Sequence, residues 1–444
     1  MTFSRQGSIT LLAFVCLLSS LYYFVQIAPL ALKSVGSAIL PDLDLYASWY
    51  GAREVLHGRN PYSPEATAAI QTAVYGTTVG PEYDSQRFSY PVFYALVCLP
   101  LWLLSFAEAC KLALVLFLTS AGVAVRCWLE SWSNFLAAFL FLGASFPFLY
   151  AVRALQPTLL FLGLLSIAVW AVRSHRHVLA GITLALATCK PHLAIAVVLP
   201  LAIWGACNLH TRKGLLLSFA AALSALFVFS ETLLPAWLPL WLASLRAYTH
   251  NRGTTPLMTD VLTHGATLTG PVSGILFVAA LAVVAFIAWN RRREEPALAI
   301  CFSIAVFQLV IPFRPYDLVL QVGPLLWLAA HRAEIKAAGW APGLALAAVW
   351  VSLAECFIST FFLSILHLFS PAFAVQIGLF PIASIGVLPF TTLTAFAVFL
   401  WNDLPPAEGQ SATAVATHNK VLGDTTAPNM SLVQPNRPSP NLTV

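Results

Sequence analysis

Four short stretches of this 444-residue chain set ionisable and amide side chains into otherwise apolar sequence. The first is Pro41-Asp42-Leu43-Asp44, running on through Gly51-Ala52-Arg53 to Gly58-Arg59-Asn60-Pro61-Tyr62. The second is Arg153-Ala154-Leu155-Gln156-Pro157. The third is Lys190-Pro191-His192, whose lysine lies 14 residues from Arg176 and 20 from His210. The fourth is Phe313-Arg314-Pro315-Tyr316-Asp317-Leu318. A carboxylate in such a place can take a proton from a hydroxyl, the more readily where dehydration raises its pKa above the ordinary value of about 4. Arginine and lysine hold a phosphate by charge-assisted hydrogen bonds.

Each stretch also has a plainer reading. Asp42 or Asp44 could cap a helix. Arg153 and Gln156 could sit in a polar loop between helices. Lys190 could pair with an acid purely for packing. Pro315 and Asp317 could open a helix, with the acid at its positive end.

What must position these side chains is a membrane protein. The chain is 59% apolar and 9% charged, with a mean hydropathy of +0.81. Soluble domains carry about a quarter charged residues, so this composition cannot dress a soluble surface of this size. The net charge of +5 falls mostly in short loops between apolar runs, which is a membrane distribution and not a nucleic-acid patch. The eight cysteines (Cys16, Cys98, Cys110, Cys127, Cys189, Cys207, Cys301 and Cys356) include no C-x-x-C and read as packing residues. Motifs for ATP hydrolysis, zinc proteolysis and dinucleotide binding are missing from the sequence.

Apolar runs long enough to span, about 17–25 residues, begin with a retained first helix near 9–32 and continue to 371–401. They include 133–150, 178–206, 213–234, 270–290 and 316–330. The expectation is an all-α polytopic protein of about 10–13 transmembrane helices. Residues 1–402 form the membrane domain and 403–444, rich in Pro, Ser, Thr and Asn, form a disordered tail. The weakly basic start puts the N-terminus in the cytoplasm and the loop 33–88 outside. The loops at Arg173–His177, His210–Lys213 and Arg291–Arg293 also look cytoplasmic. Full crossings by every run cannot satisfy all of these, so one run turns back within the membrane. Leu45, Trp49, Ala52 and Leu56 form one helical stripe, predicting a helix that lies along the interface. Trp237, Trp241 and Tyr248 suit a second interfacial segment over 235–269.

A carboxylate beside the membrane and several cations from later helices are what sugar transfer from a lipid phosphate requires. The acid serves the acceptor hydroxyl, and the cations serve the departing phosphate. The competing class is a lipid-linked sugar flippase or secondary transporter, which would favour internal repeats and charges at matching mid-membrane positions. No convincing repeat is present, and the acids cluster toward one face. A scaffold without activity is a third class.

Asp44-Leu45 followed by Gly51-Ala52-Arg53 and Gly58-Arg59-Asn60-Pro61-Tyr62 resembles the first loop of glycosyltransferase family 87. Phe88-Ser89-Tyr90-Pro91-Val92-Phe93 is similar to the aromatic-proline start of that family's second helix. Leu155-Gln156-Pro157-Thr158 resembles its Gly-Gln-x-Asn segment, with Leu155 at the glycine and Thr158 at the asparagine. Ala180-Gly181 through Lys190-Pro191-His192 resembles its Ala-Gly…Lys-Pro-Gln helix, with His192 at the glutamine. Pro315-Tyr316-Asp317-Leu318 is similar to its late Tyr-Asp-Leu stretch. The matches keep their order over roughly 40–325.

The resemblance implies a GT-C-type bundle in a bacterial cell membrane, similar to the phosphatidylinositol-mannoside α-1,2-mannosyltransferases. The implied reaction moves a hexose, best matched by mannose, with inversion from a polyprenyl-phosphate sugar to an extracytoplasmic glycolipid or glycan. Spacing to Ala52-Arg53 selects Asp44 over Asp42 as the base. Asp42, Arg53, Tyr62, Arg153, Gln156, Lys190, His192, Arg314, Tyr316 and Asp317 are the implied substrate-binding residues. Partners are the lipid donor, the acceptor and membrane lipids, not nucleic acid. No cofactor is specified, and a divalent cation at the leaving phosphate is left open.

Overall fold

A computed structural model describes residues 43–80, 86–129, 132–143, 145–249, 258–259, 262, 269–369 and 387–402. Asp42, the first apolar run at 9–32 and the tail at 403–444 lie outside the described residues. One compact unit extends to Phe399, and of the second, which starts at Leu400, only the first three residues are described.

Every regular element among the described residues is helical. Helix α1 (Asp44–Leu56) and α2 (Pro64–Tyr75) form the first loop. Two short helices, α3 (Tyr94–Val97) and α4 (Leu99–Trp102), lead into α5 (Phe106–Trp128). Then come α6 (Phe135–Gly143), α7 (Phe146–Arg153), α8 (Thr158–Arg173), α9 (His177–Ala187) and α10 (Pro191–Ala206). They are followed by α11 (Leu209–Leu233), α12 (Trp237–Thr249), α13 (Thr269–Asn290) and α14 (Ala297–Val310). A 3-10 turn (Pro315–Gln321) precedes α15 (Val322–Ala330), α16 (Arg332–Ala337), α17 (Trp340–Phe369) and α18 (Val387–Asn402).

Three described helices, Phe106–Trp128, Leu209–Leu233 and Gly270–Asn290, are each long and apolar enough to cross a membrane. The pair Trp132–Gly143 and Pro147–Arg153, bent by 70°, would make a fourth. Shorter apolar helices of 10–17 residues include Thr158–Arg173, His177–Ala187, Pro191–Ala206 and Ala297–Val310. The long apolar run 178–206, with Pro191 inside it, is two helices. Pro191 has no N–H to continue α9 and its fixed φ suits a first helical position, so α10 starts there. The two helices fold back on each other. The ring of His177, at the start of α9, lies 5.9 Å from that of Trp204 near the end of α10.

That reversal brings the three basic loops to one end of the bundle. Arg173 Nε meets Glu295 Oε1 at 2.6 Å. Trp204 Nε1 donates to Glu294 O at 2.9 Å, and Arg212 Nη1 donates to Arg292 O at 3.0 Å. Close packing holds the layers together. A Cβ added at Gly181 on α9 would lie 2.4 Å from the carbonyl oxygen of Leu215 on α11, so only a glycine fits that contact.

Two interfacial expectations shift in detail. Helix α1 buries Leu45, Ser48, Ala52 and Val55, while Trp49 and Leu56 lie at the edge of the buried face. Trp237 is 1% exposed and packs edge-on against Phe93 and Phe227, so its ring is part of the protein core.

Candidate active site

Asp44 opens α1, where a negative charge is favoured by the helix dipole. Leu43 occupies the N-cap position, so capping is not what the acid does. Its carboxylate accepts instead from distant side chains. Gln86 Nε2 donates to Oδ1 at 3.0 Å, and Gln156 Nε2 donates to Oδ2. The Asp44 backbone N–H donates to Ala154 O at 3.1 Å.

Gln156 reaches Asp44 because of the way α7 ends. Leu155 N donates to Val152 O at 3.1 Å and Gln156 N to Ala151 O at 2.8 Å, the paired bonds of a Schellman turn. Leu155 takes the left-handed position with φ 46°. That position favours glycine, and it is where the family motif has glycine. The turn sends Gln156 inward, 4% exposed, and leaves Arg153 exposed on the last residue of α7. One turn thus holds both the main chain and the side chain of Asp44.

Gln86 is held from the other side. Gly51 faces Phe88 so closely that an added Cβ would fall 2.3 Å from its ring. The buried hydroxyl of Tyr62 donates to Tyr90 O at 2.7 Å and its ring lies against Phe88. Burial pushes the Tyr62 phenol well above its ordinary pKa, so it remains a neutral donor. Glycine and tyrosine of the first loop therefore fix the strand of chain that carries Gln86, Ser89 and Tyr90.

A second cluster forms around Asp317, 2% exposed on the 3-10 turn. Lys190 Nζ, at the N-cap of α10, donates to Asp317 Oδ1 at 2.5 Å and also donates to Thr158 Oγ1. Thr158 Oγ1 donates to the same Oδ1 at 3.0 Å. His192 Nε2 stands 3.5 Å from Oδ2, and Arg314 N donates to Oδ2 at 3.1 Å. Lys190 also lies 4.9 Å from the centre of the Tyr316 ring, which stacks on Tyr150.

The two clusters face one cavity of about 310 Å³, at the low end for small-ligand clefts. Asp44, Gln156, Lys190, His192, Arg314, Tyr316 and Asp317 all border it. Gln86, Arg87 and Trp241 border it too, and the sequence motifs did not single them out as site residues. Their signal was position: Gln86-Arg87 immediately precedes Phe88-Ser89-Tyr90-Pro91. Three of the residues implied by the resemblance are not on that wall. Arg53 Nη1 donates to Trp102 O at 3.0 Å and its guanidinium lies over Trp49, clasping α1 to α4. Tyr62 acts through Tyr90, as above. Arg153 points outward from α7. No group of three or more His, Cys, Asp or Glu among the described residues could hold a metal ion.

These helices and this polar cavity define an integral membrane protein with a buried site at one end of its bundle. The model of glycosyltransferase family 87 matches residues 88–312, just over half of the chain, and the chain belongs to that family. It is a membrane glycosyltransferase. No curated protein matches the chain. The matched residues include Gln156, Lys190 and His192, while Asp44 and Asp317 lie on either side of them.

Proposed function

We propose that this enzyme moves a hexose, mannose being the best match, from a polyprenyl-phosphate donor to an extracytoplasmic glycolipid or glycan, with inversion. The observation that carries the reading is the shared cavity, in which Asp44 faces Arg314, Arg87 and His192. Asp44 takes the proton of the acceptor hydroxyl as its oxygen attacks the anomeric carbon. The bond from that carbon to the phosphate oxygen breaks on the opposite side, and the phosphate departs with both electrons. Arg87 and Arg314 stabilise the charge that develops on it.

Gln156 supports the same reading. Its Nε2 is engaged by Asp44, and its Oε1 is buried with no partner among the described residues. An unmet buried acceptor costs about 1–3 kcal/mol, and a sugar hydroxyl in the cavity would satisfy it. Lys190 is tied to Asp317, so its part is to shape the cavity wall; this replaces the idea that it holds the phosphate directly. Orientation is supported by charge. The basic loops at Arg173, Arg212 and Arg292 gather at the end away from Asp44, as expected for a cytoplasmic face. This supports a cavity that opens to the extracytoplasmic side of a bacterial cell membrane.

The test uses purified protein in lipid vesicles with radiolabelled polyprenyl-phosphate mannose or a nucleotide-linked mannose. Release or transfer of label from the lipid donor alone is expected. Equal use of the nucleotide sugar would contradict the donor assignment.

A further inference from the structure

The end of the bundle away from Asp44 holds two cavities that the transfer reaction does not use. One, of about 670 Å³, has Arg126, Arg173, Arg212 and Arg293 on its wall against Glu294 and Glu295. The other, of about 840 Å³, is walled mainly by apolar side chains such as Leu142, Leu318, Leu326 and Leu353, with Arg173 and Arg332 also on its wall. Leu129, Arg173 and Glu295 line both, so the Arg173–Glu295 ion pair stands between a charged chamber and an apolar one.

The charged chamber is net positive by construction. Arg126 Nη1 donates to Leu129 O at 2.7 Å, and Arg212 Nη1 donates to Trp204 O at 2.7 Å with its guanidinium 3.5 Å from that ring centre. Carbonyl and ring partners orient a guanidinium without cancelling its charge, and each retains further donors in a fork that suits phosphate. Glu294 is also drawn to Arg291 at 2.9 Å. Arg126 over Trp132, Arg176 over Trp170 and Arg292 over Trp289 add arginine–tryptophan stacks at this end, the pairing of a headgroup layer.

A net-positive chamber that adjoins an apolar one fits an amphiphile. We propose that this end binds one anionic phospholipid from the leaflet opposite the active-site cavity. Its phosphodiester displaces Glu295 in part from Arg173 and is shared with Arg332 and Arg293, and its acyl chains enter the apolar chamber. Basic pockets between membrane helices take lipid headgroups in this way. The inference does not depend on which sugar or acceptor the enzyme uses.

Native mass spectrometry of the full chain tests it, with equimolar phosphatidylglycerol and phosphatidylcholine added in detergent. One retained phosphatidylglycerol is expected, favoured over phosphatidylcholine about tenfold, as one charge-assisted contact would give. Arg173→Ala and Arg332→Ala should each reduce that preference, and the double variant should abolish it. Arg59→Ala, at the other end of the bundle, should leave it unchanged. The wild-type preference needs no variant to fold, so it stands as a measurement by itself. Equal retention of the two lipids, or an unchanged preference in the double variant, would overturn the proposal. So would equal thermal protection by glycerol phosphate, which would make the ligand a soluble anion.

Discussion

Asp44 and Asp317 border the same cavity, yet the groups that hold the two carboxylates differ. Neutral amides from Gln86 and Gln156 orient Asp44. A carboxylate offers about four lone-pair sites, and the two amides occupy one on each oxygen. Asp317 is buried against the Lys190 ammonium, with Thr158 on the same oxygen and a backbone N–H on the other. Its charge is spent on holding α10, α8 and the 3-10 turn together. Two acids in one cavity are thus held differently: amides from two distant segments orient Asp44, and a buried ammonium pairs with Asp317.

The largest expected effect strikes the Asp317 side. Lys190→Ala or Asp317→Ala leaves a buried charge unpaired, which costs about 3–5 kcal/mol. The expected result is a large fall in melting temperature or in yield of folded protein. Replacing the pair together by Lys190→Met and Asp317→Leu should recover much of that stability, since paired burial gives little net gain over apolar packing. If the single variants melt like the wild type, the two acids do not differ as described.

On the Asp44 side, orientation is what stands to be lost. Gln156→Leu should lower the transfer rate by about a hundredfold, the cost of misplacing a reacting group by about 1 Å, with a smaller change in melting temperature than Lys190→Ala. Gln86→Leu should act in the same direction and less strongly, because the Schellman turn still anchors the Asp44 backbone. Kinetics of both variants at saturating donor would check this, and unchanged rates would show that the amides do not position the acid.

The first glance at the sequence captured more of the Asp44 side than of the Asp317 side, for physical reasons. Asp44, Gln156 and Gly51 sit in local motifs whose spacing survives folding, and all three are placed as local geometry demands. Lys190 was conspicuous as an isolated charge in an apolar run. Its partner lies 127 residues away, a pairing no local pattern encodes, so its charge read as available when it is already matched. Arg153 lies close to Gln156 in sequence, yet it is exposed and off the cavity wall. A left-handed residue between them reverses the chain, and neighbours in sequence then point apart. In the run 178–206, Pro191 marks a break, but apolar content does not reveal that the second helix runs back along the first.

Leu155 offers a finer test of that turn. An L-residue held left-handed costs about 1–2 kcal/mol, whereas burying its side chain is worth about 1.5–3 kcal/mol. Leu155→Ala loses the burial and keeps the strain, while Leu155→Gly loses the burial and relieves the strain. The glycine variant should therefore melt no lower than the alanine variant, against the usual ranking of those residues. The smallest effect is expected for Arg153→Ala. An exposed residue off the cavity wall should change stability by about 0.5 kcal/mol or less and leave the transfer rate near wild type. A severe loss of transfer would bring Arg153 back into the site.

The central claim is that Asp44 is the base. Asp44→Asn keeps the size of the side chain and removes its capacity to take a proton, so transfer from labelled polyprenyl-phosphate mannose should fall by about 10²–10⁴-fold, with a melting temperature close to wild type in the same preparation. A folded Asp44→Asn enzyme that transfers sugar at the wild-type rate would contradict it.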